Sequence, residues 1–163
     1  MTARDVEYLV VHCSATQPTQ DIGRDEIDRW HKQRGWSGIG YHFVIRRNGL
    51  IERGRPLDDD SLLETPEVGA HVEGFNSKSV GVCLVGGVDD LLRPERNFTP
   101  AQYTALETLL LMLADQFAGA EVRGHRDFPG VAKSCPSFDV QAWWANRNRE
   151  RVGDWDGVLP TIA

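Results

Sequence analysis

No apolar run in this chain approaches the about 20 residues a transmembrane helix needs. Nor does its start combine a basic segment, an apolar centre and a small-residue cleavage site, so membrane insertion and a signal peptide are both unexpected. The opening MTARDVEYLVVHC is instead expected to hold a first strand, in a protein that stays in the cytoplasm where it is made. Positive charge is also short. Eighteen Lys and Arg stand against 24 Asp and Glu, a formal net charge of −6, which argues against a general nucleic-acid binder with a basic face. Cysteine is scarce as well: Cys13, Cys83 and Cys135 are widely separated and odd in number, so no disulfide framework follows. What is present, 163 residues of which 40% are hydrophobic, suffices for one domain with a core and not for two large ones.

The pattern of apolar residues is that of an α/β domain. Residues 6–12 (VEYLVVH) are β-branched and apolar without helical period, as in a buried strand. RDEIDRWHKQRG places Ile27, Trp30, His31 and Arg34 at helical spacing, with acids early and Gly35 as a stop. YHFVIRRNGLIERG reads as a hairpin turning at Asn48-Gly49, and SVGVCLVGG as a short buried strand. Between them RPLDDDSLLETPEVGA is acidic and aperiodic, and is expected to be a long surface loop. TPAQYTALETLLLMLADQFAG is the clearest helix: Thr99 as N-cap, Pro100 at the first helical position, Gln102 closing a capping box, and Tyr103, Leu106, Leu109, Leu110, Leu113 and Phe117 in one stripe. A brief strand (EVRGH), a loop, and a short helix from about Asp139 with Val140, Trp143 and Trp144 on one face follow, and no structure is expected for the tail after Glu150.

Two histidines end strands in this scheme, His12 and His125, and Cys135 follows in the loop GHRDFPGVAKSCPSFD. That cysteine has four readings: structural filler, half a disulfide, a nucleophile, or a metal ligand. Two imidazoles and one thiolate suit zinc, and three protein ligands leave a fourth tetrahedral position for water. The spacing is not that of a zinc finger, and each residue taken alone is equally well read as a buried His or Cys.

Longer motifs narrow the choice. VVHCSAT, WHKQRGWSGIGYHFVIRRNG, GAHVEGFNSKSVGVCLVGG, NFTPAQ and GHRDFPGVAKSCPSFD occur in this order. Together they resemble the type-2 N-acetylmuramoyl-L-alanine amidases, zinc enzymes that share a fold with peptidoglycan recognition proteins, and above all the short phage lysozymes that serve as endolysins. The resemblance runs from about residue 6 to 144. It implies a single α/β domain over residues 1–150, with a central mixed sheet flanked by helices and a zinc site in a surface groove, followed by a tail at 151–163. It implies one zinc per chain on His12, His125 and Cys135, with Tyr41 and Lys133 as the essential tyrosine and lysine, and His71 and Asn76 flanking the cleft, where they either contact the substrate or stabilise the loop. The implied partner is bacterial peptidoglycan, cut between muramic acid and L-alanine by a monomer that waits in the host cytoplasm until the membrane is permeabilised. Some members also bind and restrain a phage RNA polymerase through their N-terminal region; the sequence there is not diagnostic, and that partner stays open.

Strand alternation separates the remaining candidates. His42 follows Tyr41 and faces away from it, and Cys13 faces away from His12, so both are expected in packing roles, as is Cys83 within its strand. Trp30 and His31 are likewise expected to pack. Two rival functions stay in view. A cysteine peptidase using Cys135 would be blocked by alkylation and indifferent to metal, although no helix N-terminus is expected beside this thiol. A peptidoglycan-binding module without catalysis would typically lack the cysteine ligand, which this chain keeps.

Overall fold

The computed structural model describes residues 4–150 and Ile162. In chain order the elements are β1 (Arg4–Asp5), β2 (Tyr8–Cys13), α1 (Arg24–Gln33), β3 (Phe43–Ile45), β4 (Ile51–Arg53), β5 (Leu62–Leu63), β6 (Ser79–Leu84), α2 (Pro100–Gln116), β7 (Glu121–Gly124) and α3 (Val140–Glu150). The two most apolar strands, β2 and β6, lie side by side in parallel at the centre, buried on both faces as such strands must be. Five strands form the main sheet in the order β4-β3-β6-β2-β7, with only the β3–β4 pair antiparallel. This is the central mixed sheet that the family resemblance implies, in the α/β domain that the pattern of elements suggests.

The side-chain period of two divides the sheet into a packing face and a working face. Leu9, Val11 and Cys13 pair in register with Val80, Val82 and Leu84, and with Phe43 and Ile45 they meet the α2 stripe of Leu106, Leu109, Leu110, Leu113 and Phe117. The opposite face carries Val10 and His12 beside Gly81 and Cys83, and Val44. Part of it is covered by α1, whose Ile27 packs with Ile39, Val44, Cys83 and Val85. Helices therefore lie on both faces.

The start of α2 is tied to the sheet through Gln102. Its backbone N–H donates to Thr99 Oγ1 at 3.1 Å and its Oε1 accepts from Thr99 N at 2.9 Å, the expected capping box. Its Nε2 donates to the carbonyls of Ile45 and Val85 at 3.2 and 2.9 Å. The β3–β4 hairpin turns where Asn48-Gly49 indicated, but with three loop residues. Gly49 N–H bonds Arg46 O at 2.8 Å, Arg46 N–H bonds Leu50 O at 2.9 Å, and Gly49 takes φ +89°, a turn closed by a glycine bulge.

The acidic segment is the element the sequence misleads on. Instead of a plain surface loop, it contains β5, paired antiparallel with β1, and a 3-10 turn at Thr65–Glu67. Leu63 is fully buried, and the Glu67 carboxylate accepts from the backbone N–H groups of Asp58 at 2.7 Å and Glu64 at 2.9 Å. A two-residue strand is too short to show a period, and a carboxylate used as a backbone acceptor looks like surface charge in a sequence. The expected tail, 151–163, lies outside the described residues except for Ile162, which bridges Ile51 in parallel and packs on the core.

Candidate metal centre

Parallel strands bring their C-terminal ends together, and residues there are well placed for chemistry. β2 delivers His12 one residue before its end. β7 stops at Gly124, and His125 opens a 3-10 turn held by Asp127 Oδ2, which accepts from Gly124 N–H at 2.8 Å. The chain then returns: Arg126 N–H bonds Cys135 O at 2.9 Å, Ser137 N–H bonds Ser134 O at 2.6 Å, and Ser137 Oγ donates to Gly87 O at 2.8 Å. Cys135 is thereby set at the mouth of the two strands, where its Sγ accepts the backbone N–H of Cys13 at 3.2 Å.

His12, His125 and Cys135 converge from 123 residues apart. One ligand atom from each lies within 4.8 Å of the other two, and Cys135 Sγ stands 4.0 Å from His12 Nδ1. A tetrahedral zinc with bonds of about 2.0 Å to nitrogen and about 2.3 Å to sulfur would hold its ligand atoms about 3.5 Å apart. The His12–Cys135 pair, at 4.0 Å, is near that spacing, and all three donors lie within 4.8 Å of one another. Its electrostatics suit a cation. Burial, reinforced by His71, His125 and His42, holds His12 well below the usual histidine range, and burial plus the Lys133 charge lowers His125, so both imidazoles offer free lone pairs. The residues therefore fit zinc.

Tyr41 stands over His12 with ring centroids 5.0 Å apart. It is positioned from α1: His31 Nδ1 accepts the Gly40 N–H at 2.9 Å, Asp28 Oδ1 accepts the Ile39 N–H at 2.8 Å, and the His31 ring lies 5.4 Å from Tyr41. Burial first, and then the thiols of Cys83, Cys135 and Cys13, push the Tyr41 phenol well above its ordinary value, so it keeps its proton. Lys133 is exposed, on the loop between His125 and Cys135, and acts on His125 through charge.

His71 and Asn76, expected either to contact the substrate or to stabilise the loop, are engaged within the protein. His71 is 8% exposed, with Nδ1 2.8 Å from His12 Nε2. Asn76 Oδ1 accepts the backbone N–H groups of His71 and Val72, each at 2.8 Å. His42 has the packing role expected of it, with Nδ1 accepting from Gly81 N–H at 3.0 Å and Nε2 2.6 Å from Glu67 O. Strand alternation is not the reason: β3 begins only at Phe43, and the His42 ring lies 5.8 Å from that of His71. Cys13 packs in the α2 core but is not isolated there: Cys135 Sγ lies 3.2 Å from its backbone N–H and 3.9 Å from its carbonyl oxygen. No local pattern in the sequence signalled either the His12–His71 contact or the Cys13–Cys135 contact.

The sequence and the fold have counterparts among known proteins. A family model described as N-acetylmuramoyl-L-alanine amidase matches residues 2–138. The endolysin of Klebsiella phage KP32 is 51% identical over 141 residues, covering 86% of this chain and 87% of the relative. The endolysin of Escherichia phage T7 is 46% identical over 138 residues, 85% of each. Among solved structures, the endolysin amidase LysCS of Clostridium intestinale superposes with a TM-score of 0.70 at 29% identity, covering 91% of this chain and 88% of that one. With its mixed sheet, its strand-end histidines and these likenesses taken together, the chain belongs to the N-acetylmuramoyl-L-alanine amidase family.

Proposed function

We propose that this peptidoglycan amidase is zinc-dependent and acts as an endolysin, cutting the amide between N-acetylmuramic acid and the L-alanine of the stem peptide. The observation that carries the metal assignment is the convergence of His12, His125 and Cys135 on one point at the strand ends. Zinc held there would supply Lewis acidity, polarising the scissile carbonyl and making a water nucleophilic near neutral pH. The chain's own groups supply the rest. The Lys133 ammonium, on the exposed loop beside His125, stabilises the negative charge that develops on the carbonyl oxygen as the amide is attacked. Tyr41, kept as a neutral phenol by its buried surroundings, donates a hydrogen bond and does not act as a base. A glycosidase would instead use a pair of carboxylates across the scissile bond, and the cluster contains none.

Among the described residues no helix is long and apolar enough to cross a membrane. Acting as an endolysin, it would reach the wall through a separate lesion in the membrane; that route is part of the proposal. The test is a digest of purified peptidoglycan before and after zinc removal. Stem peptides with free L-alanine amines and an intact glycan are expected, lost on chelation and restored by zinc. New reducing sugar ends, or full activity in metal-free protein, would refute the assignment.

A further inference from the structure

We propose that His71 is a positioning residue, which sets the tautomer and ring orientation of His12 through a hydrogen-bond chain with a single permitted direction. The inference rests on His12 being a metal ligand, and extends it to three residues outside the cluster.

The direction is set at the far end of the chain. Phe75 O can only accept, so the Ser79 hydroxyl, 2.8 Å away, donates to it. That uses the one hydroxyl hydrogen of Ser79, whose Oγ is then an acceptor for His71 Nε2 at 3.3 Å. A neutral His71 with its hydrogen on Nε2 has a bare Nδ1, which accepts from His12 Nε2 at 2.8 Å. His12 therefore carries its hydrogen on Nε2 and presents a bare Nδ1, the atom 4.0 Å from Cys135 Sγ. In the opposite arrangement two lone pairs would face each other between His71 and Ser79, and His12 would point an N–H at the place a cation should occupy.

The His71 ring packs closely against two glycines. A Cβ at Gly81 would stand 2.7 Å from ring atoms Cγ and Nδ1, and one at Gly69 would stand 2.9 Å from Cδ2. Asn76 clamps the backbone on either side of the His71 carbonyl through the N–H groups of residues 71 and 72. Metal-bound histidines usually give their second N–H to a carboxylate, a carbonyl or water. Here another imidazole takes that place, relaying the hydrogen bond across the sheet to a carbonyl.

The test uses the full chain and reads two properties besides activity: the His12 tautomer, from nitrogen-15 NMR of the metal-free protein, and zinc affinity, from chelator competition. Wild type should show His12 with its hydrogen on Nε2. His71→Phe should mix the tautomers and weaken zinc about 10- to 100-fold. His71→Asn, whose Oδ1 replaces the Nδ1 acceptor, should recover most of that loss. An unchanged tautomer and affinity in His71→Phe would overturn the proposal, as would equal losses in the Phe and Asn variants. If His71→Phe does not fold, Ser79→Ala carries the test, and an unaltered His12 tautomer there would overturn it. The tautomer readout needs no metal. A wild type that binds no zinc would refute the zinc assignment separately, while the tautomer still decides the role of His71.

Discussion

Cys135 and Lys133 sit two residues apart on one loop and are assigned different tasks, which substitution should separate. Cys135→Ala, like His12→Ala, removes a donor atom and should lose both zinc and activity, because two protein ligands rarely retain a catalytic zinc. Elemental analysis of the purified variants checks this, and full occupancy in Cys135→Ala would remove that ligand from the site. Lys133→Ala should keep its zinc and its melting temperature while turnover falls on the order of a hundredfold, about 3 kcal/mol of transition-state stabilisation. Tyr41→Phe should behave in the same sense. Saturation kinetics distinguish this from a binding role: if only KM rose, the lysine would be a substrate contact and not part of the chemistry. The three proposed ligands were assigned from the longer motifs that carry the family resemblance and not from their own spacing, and the folded chain brings them within 4.8 Å of one another. His71 could not be given its place, because its contact with His12 spans 59 residues and only the folded sheet creates it.

At the level of elements, α2 was legible almost residue for residue because everything that defines it is local: cap, first-turn proline, capping glutamine and apolar stripe. Thr99→Ala should cost about 1 kcal/mol, measured by urea unfolding, since it removes the side-chain acceptor for the Gln102 N–H. A cost near zero would mean that the remaining bonds of Gln102 hold the helix start unaided. The β1–β5 pair was illegible for the opposite reason. It has two residues in each strand, and its stabilising group, Glu67, is an acid buried at 6% exposure among backbone N–H donors in a segment rich in surface acids.

For the molecule as a whole, buried neutral histidines tie stability to pH. Burial pushes His42 down to about 4 from an ordinary 6.5, and in the folded state its Nδ1 must stay bare to accept from Gly81. The unfolded chain takes up this proton first, so stability is full above about pH 6.5 and declines as pH falls toward 4. His42 alone should contribute a loss of about 2 kcal/mol between pH 7 and pH 5. His31, lowered to about 4 mainly by burial, acts in the same direction. Urea unfolding at the two pH values checks this: the wild type should lose stability on acidification, and His42→Gln should lose less. A flat wild-type profile would mean that these histidines are protonated inside the fold. The central claim remains that three residues from two strand ends and a loop hold one zinc that the amidase reaction requires. Its most direct test is to titrate zinc into metal-free protein while following stem-peptide release from peptidoglycan by mass spectrometry. Activity should rise linearly and level off at one zinc per chain, with L-alanine amines as the new termini. Release that is already complete without zinc would contradict the claim.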